Sequence, residues 1–448
     1  MTGNLTTLKF HSNREKLFNE LHTRPFPLID TPAKVSQLAV LHEIDDEDKH
    51  QTVASQFDHL SSLCERYTVN PPAPDASCYY QDFGGFELRW ERHTEFTTYT
   101  FIRKAMSNRP FDENALSVLP DEWLASIPGK IISGLHIEVA AMPGKMPSTE
   151  ALRHHFEGHR MIGSELSNGA VQLWTSYRIH SDGMGRILIF NKGFDPCEGG
   201  RLVRRLLEIE TYRMMVLIAF PIAQSTSPEV RAMASQVVAV NQQINEIEGL
   251  EDERRLLAEL SSLAARLEQI ISDTNFRFSA AEAYYALVLS RIGELNETPI
   301  PGFQTIGEFL GRRLIPAYRT CETTRRELTE LSVRIDRASD LIRTRVNVTI
   351  ESQNRYLLQS MDRRSKLQLR MQQAVEGLSV AVISYHLVGL VKFAADSAKE
   401  LGFIENSYWI IGASVPISIG AVVFGLIKLK KRIYQVNKEM KAKQRSLQ

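Results

Sequence analysis

Two stretches near the C-terminal end decide the reading of this chain: GLSVAVISYHLVGLVKFAA (377–395) and YWIIGASVPISIGAVVFGLI (408–427). A bilayer core about 30 Å thick needs roughly 20 apolar residues per helix, and each stretch meets that length. Arg363, Arg364, Lys366 and Arg370 precede the first, and Lys428, Lys430, Lys431 and Arg432 follow the second. The link between them carries Lys399 against Asp396, Glu400 and Glu405. Positive charge stays on the cytoplasmic side of a membrane, so the pattern predicts a transmembrane hairpin with both termini cytoplasmic. Tyr408 and Trp409 are expected at the outer interface, and Lys392 can snorkel to headgroups.

Working outward, the 448 residues leave room for two or three folded units ahead of the hairpin. Formal net charge is zero, so no global field points to nucleic acid. The basic excess is local, and anionic lipid headgroups are its expected partners. Cys64, Cys78, Cys197 and Cys321 lie far apart without a CxxC, as free thiols in a reducing cytosol do. The first twenty residues lack an apolar core, which argues against a secretory signal.

Residues 1–225 mix strand and helix signals and predict a cytoplasmic α+β domain. Aromatic and β-branched residues mark strands at 87–101, 131–141, 170–179 and 186–190. Ser181-Asp182-Gly183 turns between the last two, and early prolines mark extended segments. A helix is expected over 201–220, ended by Pro221. Strand signals then vanish. A helical region, 226–300, reads as helices at 229–272 and 279–296, and a stalk helix, 301–376, has Pro316 in its first turn. Leu328, Leu331, Ile335, Ala338, Ile342, Val346 and Thr349 form one stripe in steps of three and four. At 1.5 Å per residue, 322–392 would span roughly 105 Å. The hairpin, 377–427, and a basic cytoplasmic tail, 428–448, complete the chain. A stalk feeding a membrane helix needs neighbours, which predicts a homo-oligomer.

The segments NELHTRPFP (19–27), LRWERHTEFTTYTF (88–101), GRLVRRLLEIETYRMM (200–215) and LQLRMQQAVEGLSVAVISYHLVGL (367–390) resemble an uncharacterised family of bacterial membrane-anchored proteins. The resemblance implies membrane anchoring and a bacterial inner-membrane address. The order of parts (mixed domain, long stalk helix, two spans, basic tail) is similar to CorA-type magnesium channels, which are pentamers lined by the first span. Their Gly-Met-Asn signature is replaced here by Val391-Lys392-Phe393-Ala394-Ala395-Asp396, which argues against magnesium selectivity.

His386 falls mid-span, where an ionisable group is costly and often faces a partner or a cavity. Ser379, Ile383, His386 and Leu390 form one face, either toward a symmetry axis and pore or across a helix interface. Gly412, Ser414, Pro416, Ser418 and Gly420 are expected to pack the second span on the first, because small residues let helix backbones approach. His22 and Arg24, in His22-Thr23-Arg24-Pro25-Phe26-Pro27, either contact a carboxylate or phosphate or pin the N-terminal arm as an ion pair. His155, Glu157 and His159 form an HxExH pattern, read as a solvated helix surface with no third ligand in view. Gly199-Gly200-Arg201 is an entry turn or an anion cradle, and Tyr79, Tyr80, Phe83 and Phe86 are expected in a core. No GxxxxGK[ST], GxSxG or paired-cysteine site occurs, so no catalytic set, cofactor or metal is expected. Function reduces to an oligomeric membrane-anchored scaffold or sensor, or to an ion channel or transporter of CorA-like build.

Overall fold

The computed structural model describes residues 9–20, 27–42, 49–74, 76–105, 109–244, 246, 249–400, 406 and 408–445. His22 and Arg24 lie outside them. The chain forms two compact units, Met1–Leu341 and Ile342–Gln448.

The first unit is α+β. Helix α1 (Arg14–Glu20) precedes β1 (Ala33–Leu41), α2 (Lys49–Arg66), β2 (Cys78–Asp82), β3 (Glu87–Arg92) and β4 (Phe96–Arg103). Next come α3 (Asp121–Ala125), β5 (Lys130–Ala141), α4 (Thr149–His154), β6 (Ile162–Leu166), β7 (Val171–Thr175) and β8 (Gly185–Asn191). Helices α5 (Pro196–Ile244) and α6 (Leu250–Leu295) follow, then the short β9 (Thr298–Pro299). Nine strands make one mixed sheet, ordered β2-β3-β4-β1-β5-β8-β7-β6-β9. Every pairing is antiparallel except β5 with β8.

The anticipated strands at 87–101, 131–141 and 186–190 are present, the first as the β3–β4 hairpin. Only 171–175 of the 170–179 segment is strand. The interior strand β1, fourth in the sheet order, lies outside the expected strands. Eight of its nine residues are buried, including Lys34, Ser36 and Gln37, so it lacks the alternation that marks a one-faced strand.

One sheet face carries Val35, Ile137, Ile187 and Leu173, packed with Leu202, Leu206 and Ile209 of α5. The other face holds two clusters. Leu60 and Leu63 of α2 and Trp123 of α3 cover Leu88, Trp90, Tyr99 and Phe101. Leu152 and Phe156 cover Trp174, Leu188 and Phe190. Phe83 and Phe86 belong to the core as expected, with Tyr79 packed against it, whereas Tyr80 is exposed.

Helix α5 does not stop at Pro221. It runs through Pro221 and Pro228 to Ile244, so residue 225 lies inside it. Both proline rings face solvent, while Ala219, Ala223, Thr226, Val230, Met233, Val237 and Val240 are buried. Packing on that face offsets the ~3 kcal/mol cost of a proline inside a helix. Nor does α6 break near residue 275. Leu256, Leu260, Leu263, Leu267, Thr274, Phe278 and Ala281 give it one buried stripe. Pairs Arg205–Glu294, at 2.9 Å, and Arg266–Glu229, at 3.3 Å, show α5 and α6 running antiparallel.

Helix α7 (Ile306–Glu400) places Pro316 three turns inside it rather than in its first turn. Its seam buries Leu328, Leu331, Ile335, Ala338 and Ile342, with Val346 and Thr349 half-buried. The last helix, α8 (Tyr408–Arg445), carries the second apolar stretch and most of the basic tail. Both α7 and α8 contain a segment long and apolar enough to cross a membrane. In the second unit Glu376 pairs with Lys430 at 2.5 Å. Ser384 on α7, and Ser414 and Ser418 on α8, are buried.

Candidate functional site: a basic cleft beside a Glu-His-His cluster

At one end of the β6–β7 pair, where Ile162 lies opposite Thr175, the chain leaves the sheet on both sides. The segments His159–Arg160 and Ser176–Arg178, together with α5 and the first turns of α7, line a cleft of about 440 Å³. Arg160, Arg178, Arg213 and Arg313 line it, and none of the lining side chains among the described residues is acidic. Tyr177 stacks on Phe309, ring centroids 5.0 Å apart and 8° from parallel. Arg213 lies over Tyr177 at 5.1 Å and Arg313 over Phe309 at 4.1 Å, so cations flank both rings.

Glu210 anchors Arg213 through two hydrogen bonds, at 2.7 and 2.5 Å. Burial opposes the guanidinium charge, but Glu210 holds its pKa above the ordinary arginine range. Burial also raises the pKa of Tyr177, which stays a neutral phenol. The N-terminus of α7 does not serve as an anion site. Glu297 takes the backbone N–H groups of Ile306 and Gly307, at 2.9 and 2.8 Å. The cleft's positive charge therefore comes from side chains, which suit phosphate or carboxylate groups.

His159 lines the cleft and also belongs to a second constellation. One donor atom from each of Glu157, His159 and His180 falls within 4.8 Å of the others. The HxExH segment is not the expected helix face, because α4 ends at His154. Glu157 and Gly158 then take left-handed backbone, at φ +52° and +78°. That turn separates His155 from His159. The carbonyl of His155 accepts from Arg186 at 3.1 Å, and the partner for Glu157 and His159 is instead His180. In the sequence, 181–183 marks a turn, and no local spacing links His180 to the HxExH segment.

The cluster rests on a polar row across three strands, with Ser36 of β1 opposite His136 of β5 and His136 opposite Arg186 of β8. Ser36 Oγ and His136 Nδ1 are 2.7 Å apart. Arg186 bonds Asp182 at 2.9 Å and reaches Glu157 at 3.3 Å. Burial drives the His136 pKa down to about 4 and also lowers that of His180, which Arg186 depresses further. Hydrogen bonds from Ser181 hold the Glu157 carboxyl below the ordinary carboxylate range.

A sequence profile described as "Protein of unknown function (DUF3422)" matches residues 9–433. The chain belongs to that family. No curated protein matches it in sequence. The DUF3422 match takes in the mixed sheet, the cleft, the cluster and both apolar stretches.

The remaining candidates have separate places. Gly199-Gly200 lies within the first turn of α5 and holds no open anion cradle. Asp195 and Glu198 cap that terminus, Glu198 N donating to Asp195 at 2.8 Å and Asp195 N to Glu198 at 3.3 Å. A Cβ on Gly199 would come within 2.8 Å of the Ile29 carbonyl oxygen, so close packing explains the glycine.

Within the second unit, Ile383, His386 and Leu390 are exposed and Ser379 is half-buried, its hydroxyl bonding the Val375 carbonyl at 2.8 Å. Of the five small α8 residues only Ser414 and Ser418 are buried. Gly412, Pro416 and Gly420 are exposed. Spacing by two cannot keep five residues on one face of a 3.6-residue helix. All four cysteines are free thiols.

Proposed function

We propose that this protein is a membrane-anchored sensor whose α+β unit binds an anionic small molecule in the arginine-lined cleft. The observation that carries the reading is that one helix serves both parts. Phe309 and Arg313 of α7 line the cleft, and the same helix carries the first apolar stretch. A ligand engaging Arg313 acts directly on the helix that enters the membrane segment. Chemistry suited to the cleft is a phosphate- or carboxylate-bearing molecule with a planar group to lie beside Tyr177 and Phe309. The anchor sits in a bacterial inner membrane with both termini cytoplasmic, and the chain works as a homo-oligomer. Support for the oligomer is the run of exposed apolar side chains on α7 ahead of the hairpin, Tyr356, Leu357, Leu358 and Met361.

The test is a panel of pyrophosphate, ATP and citrate against the full chain in detergent, read by thermal stability and calorimetry. Saturable binding that weakens about tenfold or more in Arg178→Ala and Arg313→Ala is expected, since charge-assisted contacts contribute ~1.5–3 kcal/mol each. No binding by any of the three, or binding indifferent to both substitutions, would overturn the cleft as the ligand site. A reporter fused after Gln448 that proves periplasmic would overturn the topology.

A channel of CorA-like build is the second reading. One observation favours it: α8 leaves the Ile383, His386 and Leu390 face of α7 uncovered, so that face is open to neighbouring copies around an axis. Ion flux in liposomes that disappears in His386→Ala, with assembly intact, would favour it over the sensor.

A further inference from the structure

Beside the anion cleft, the Glu157, His159 and His180 cluster has features that a solvated surface turn does not require. The His180 side chain is fully buried. Its Nε2 lies 3.0 Å from Ser176 Oγ, which fixes the ring. Its other nitrogen, Nδ1, is buried without a hydrogen-bond partner among the described residues and sits 3.4 Å from Glu157 Oε2. A buried ring nitrogen aimed at a carboxylate requires a positive charge between them or a proton on the ring.

The carboxylate is arranged for the former. Its Oε1 accepts from Ser181 Oγ at 2.6 Å and faces Arg186 at 3.3 Å. Backbone Ser181 N reaches both oxygens, at 3.2 and 3.1 Å. Oε1 thus takes the Ser181 hydroxyl and Arg186, while Oε2 shares the Ser181 backbone N–H and faces His180. Metal-binding carboxylates and imidazoles are held in this way by a surrounding layer of hydrogen bonds.

Distances agree. Ligands about 2.0–2.1 Å from a tetrahedral ion stand about 3.3 Å apart, close to the 3.4 Å between Oε2 and Nδ1. The His159 ring lies 5.5 Å from the His180 ring. Arg186 faces the opposite oxygen, and Asp182, 2.9 Å away, also holds its charge.

We infer that Glu157, His159 and His180 form a site for a zinc-class divalent cation at the edge of the basic cleft. Two imidazoles and one carboxylate suit zinc rather than calcium or magnesium, which prefer all-oxygen shells. Three protein ligands leave a fourth position for water or for a donor atom of a molecule in the cleft, which His159 also lines. The metal site does not depend on the sensor reading, because it is defined by its own donors.

The experiment uses the full chain in detergent, without a polyhistidine tag, stripped by EDTA and titrated with Zn²⁺ alone and Co²⁺ alone. One equivalent of each is expected to bind. Cobalt should give visible ligand-field absorption without the thiolate charge-transfer band that a cysteine site would show. Affinity should fall about 100-fold or more in His180→Ala and in Glu157→Gln, while His155→Ala keeps it. Should His180→Ala fail to fold, Glu157→Gln and His159→Ala decide, since those side chains are not buried. Absence of saturable binding, a cobalt spectrum dominated by thiolate, or binding that survives Glu157→Gln and His159→Ala would overturn the site. Anion binding by metal-free protein would at the same time leave the sensor reading standing.

Discussion

Tyr177 and Phe309 stack face to face at 5.0 Å, joining the segment after β7 to the first turn of α7. The pair forms an apolar wall between Arg213 and Arg313. Tyr177→Ala should therefore weaken both the α7 attachment and any planar ligand in the cleft. The stack itself contributes about 0.5–1.5 kcal/mol beyond its buried area. Tyr177→Phe should retain nearly all of it, and chemical denaturation of the two variants side by side checks this.

Arg213 should behave differently from the cleft's outer arginines. Removing it strands the buried Glu210 carboxylate, and breaking such a pair costs about 3–5 kcal/mol. Arg213→Met combined with Glu210→Gln should recover most of that loss, whereas Arg178→Ala should leave stability within about 0.5 kcal/mol of the parent. A double-mutant cycle in urea reads the coupling.

Gly199→Ala should destabilise the first unit by about 1–3 kcal/mol, because the added methyl meets the Ile29 carbonyl oxygen at 2.8 Å and the Phe194 ring at 2.6 Å. Gly144→Ala, with open space around its Cα, is the matched control. Melting temperatures of the two variants decide.

Acid should loosen the β2–β3–β4 side of the sheet through His59. The ring stacks on Trp123 at 4.2 Å, its Nε2 meets the Trp123 carbonyl at 3.0 Å, and Trp123 Nε1 donates to the His59 carbonyl at 2.9 Å. Burial lowers its pKa below the ordinary histidine value of 6.5. The unfolded chain then binds more protons, so the stabilising contribution is full above pH 6.5 and lost as pH falls through the lowered value. His59→Phe should flatten that part of the acid limb. Tryptophan fluorescence melts at pH 7.5 and 5.5 measure it.

In the hairpin, Ser418→Leu should disrupt packing while Gly420→Leu should not, since Ser418 is buried and Gly420 exposed. Close helix approach in lipid depends on small residues at the contact. Protease resistance of the hairpin in detergent separates the two.

Composition and periodicity alone carried a large share of this protein. Two apolar runs of bilayer length with basic flanks can be read from any chain, because hydropathy needs no tertiary partner. The seam from Leu328 to Ile342 was legible for a similar reason, since 3.6-residue periodicity records which helix face is buried. Only tertiary structure decided the rest. Pro221 and Pro228 look like helix ends until packing of α5 outweighs their local cost. Strand β1 is buried on both faces, so alternation cannot mark it. Arg160, Arg178, Arg213 and Arg313 come from separate segments that no spacing connects. The HxExH segment reads locally as a solvated helix surface, but a left-handed turn at Glu157 and the arrival of His180 from beyond β7 set Glu157 and His159 beside a buried histidine. Side-chain chemistry is written in the sequence, but which donors converge depends on backbone turns and strand register, and those are settled only when the sheet and helices pack.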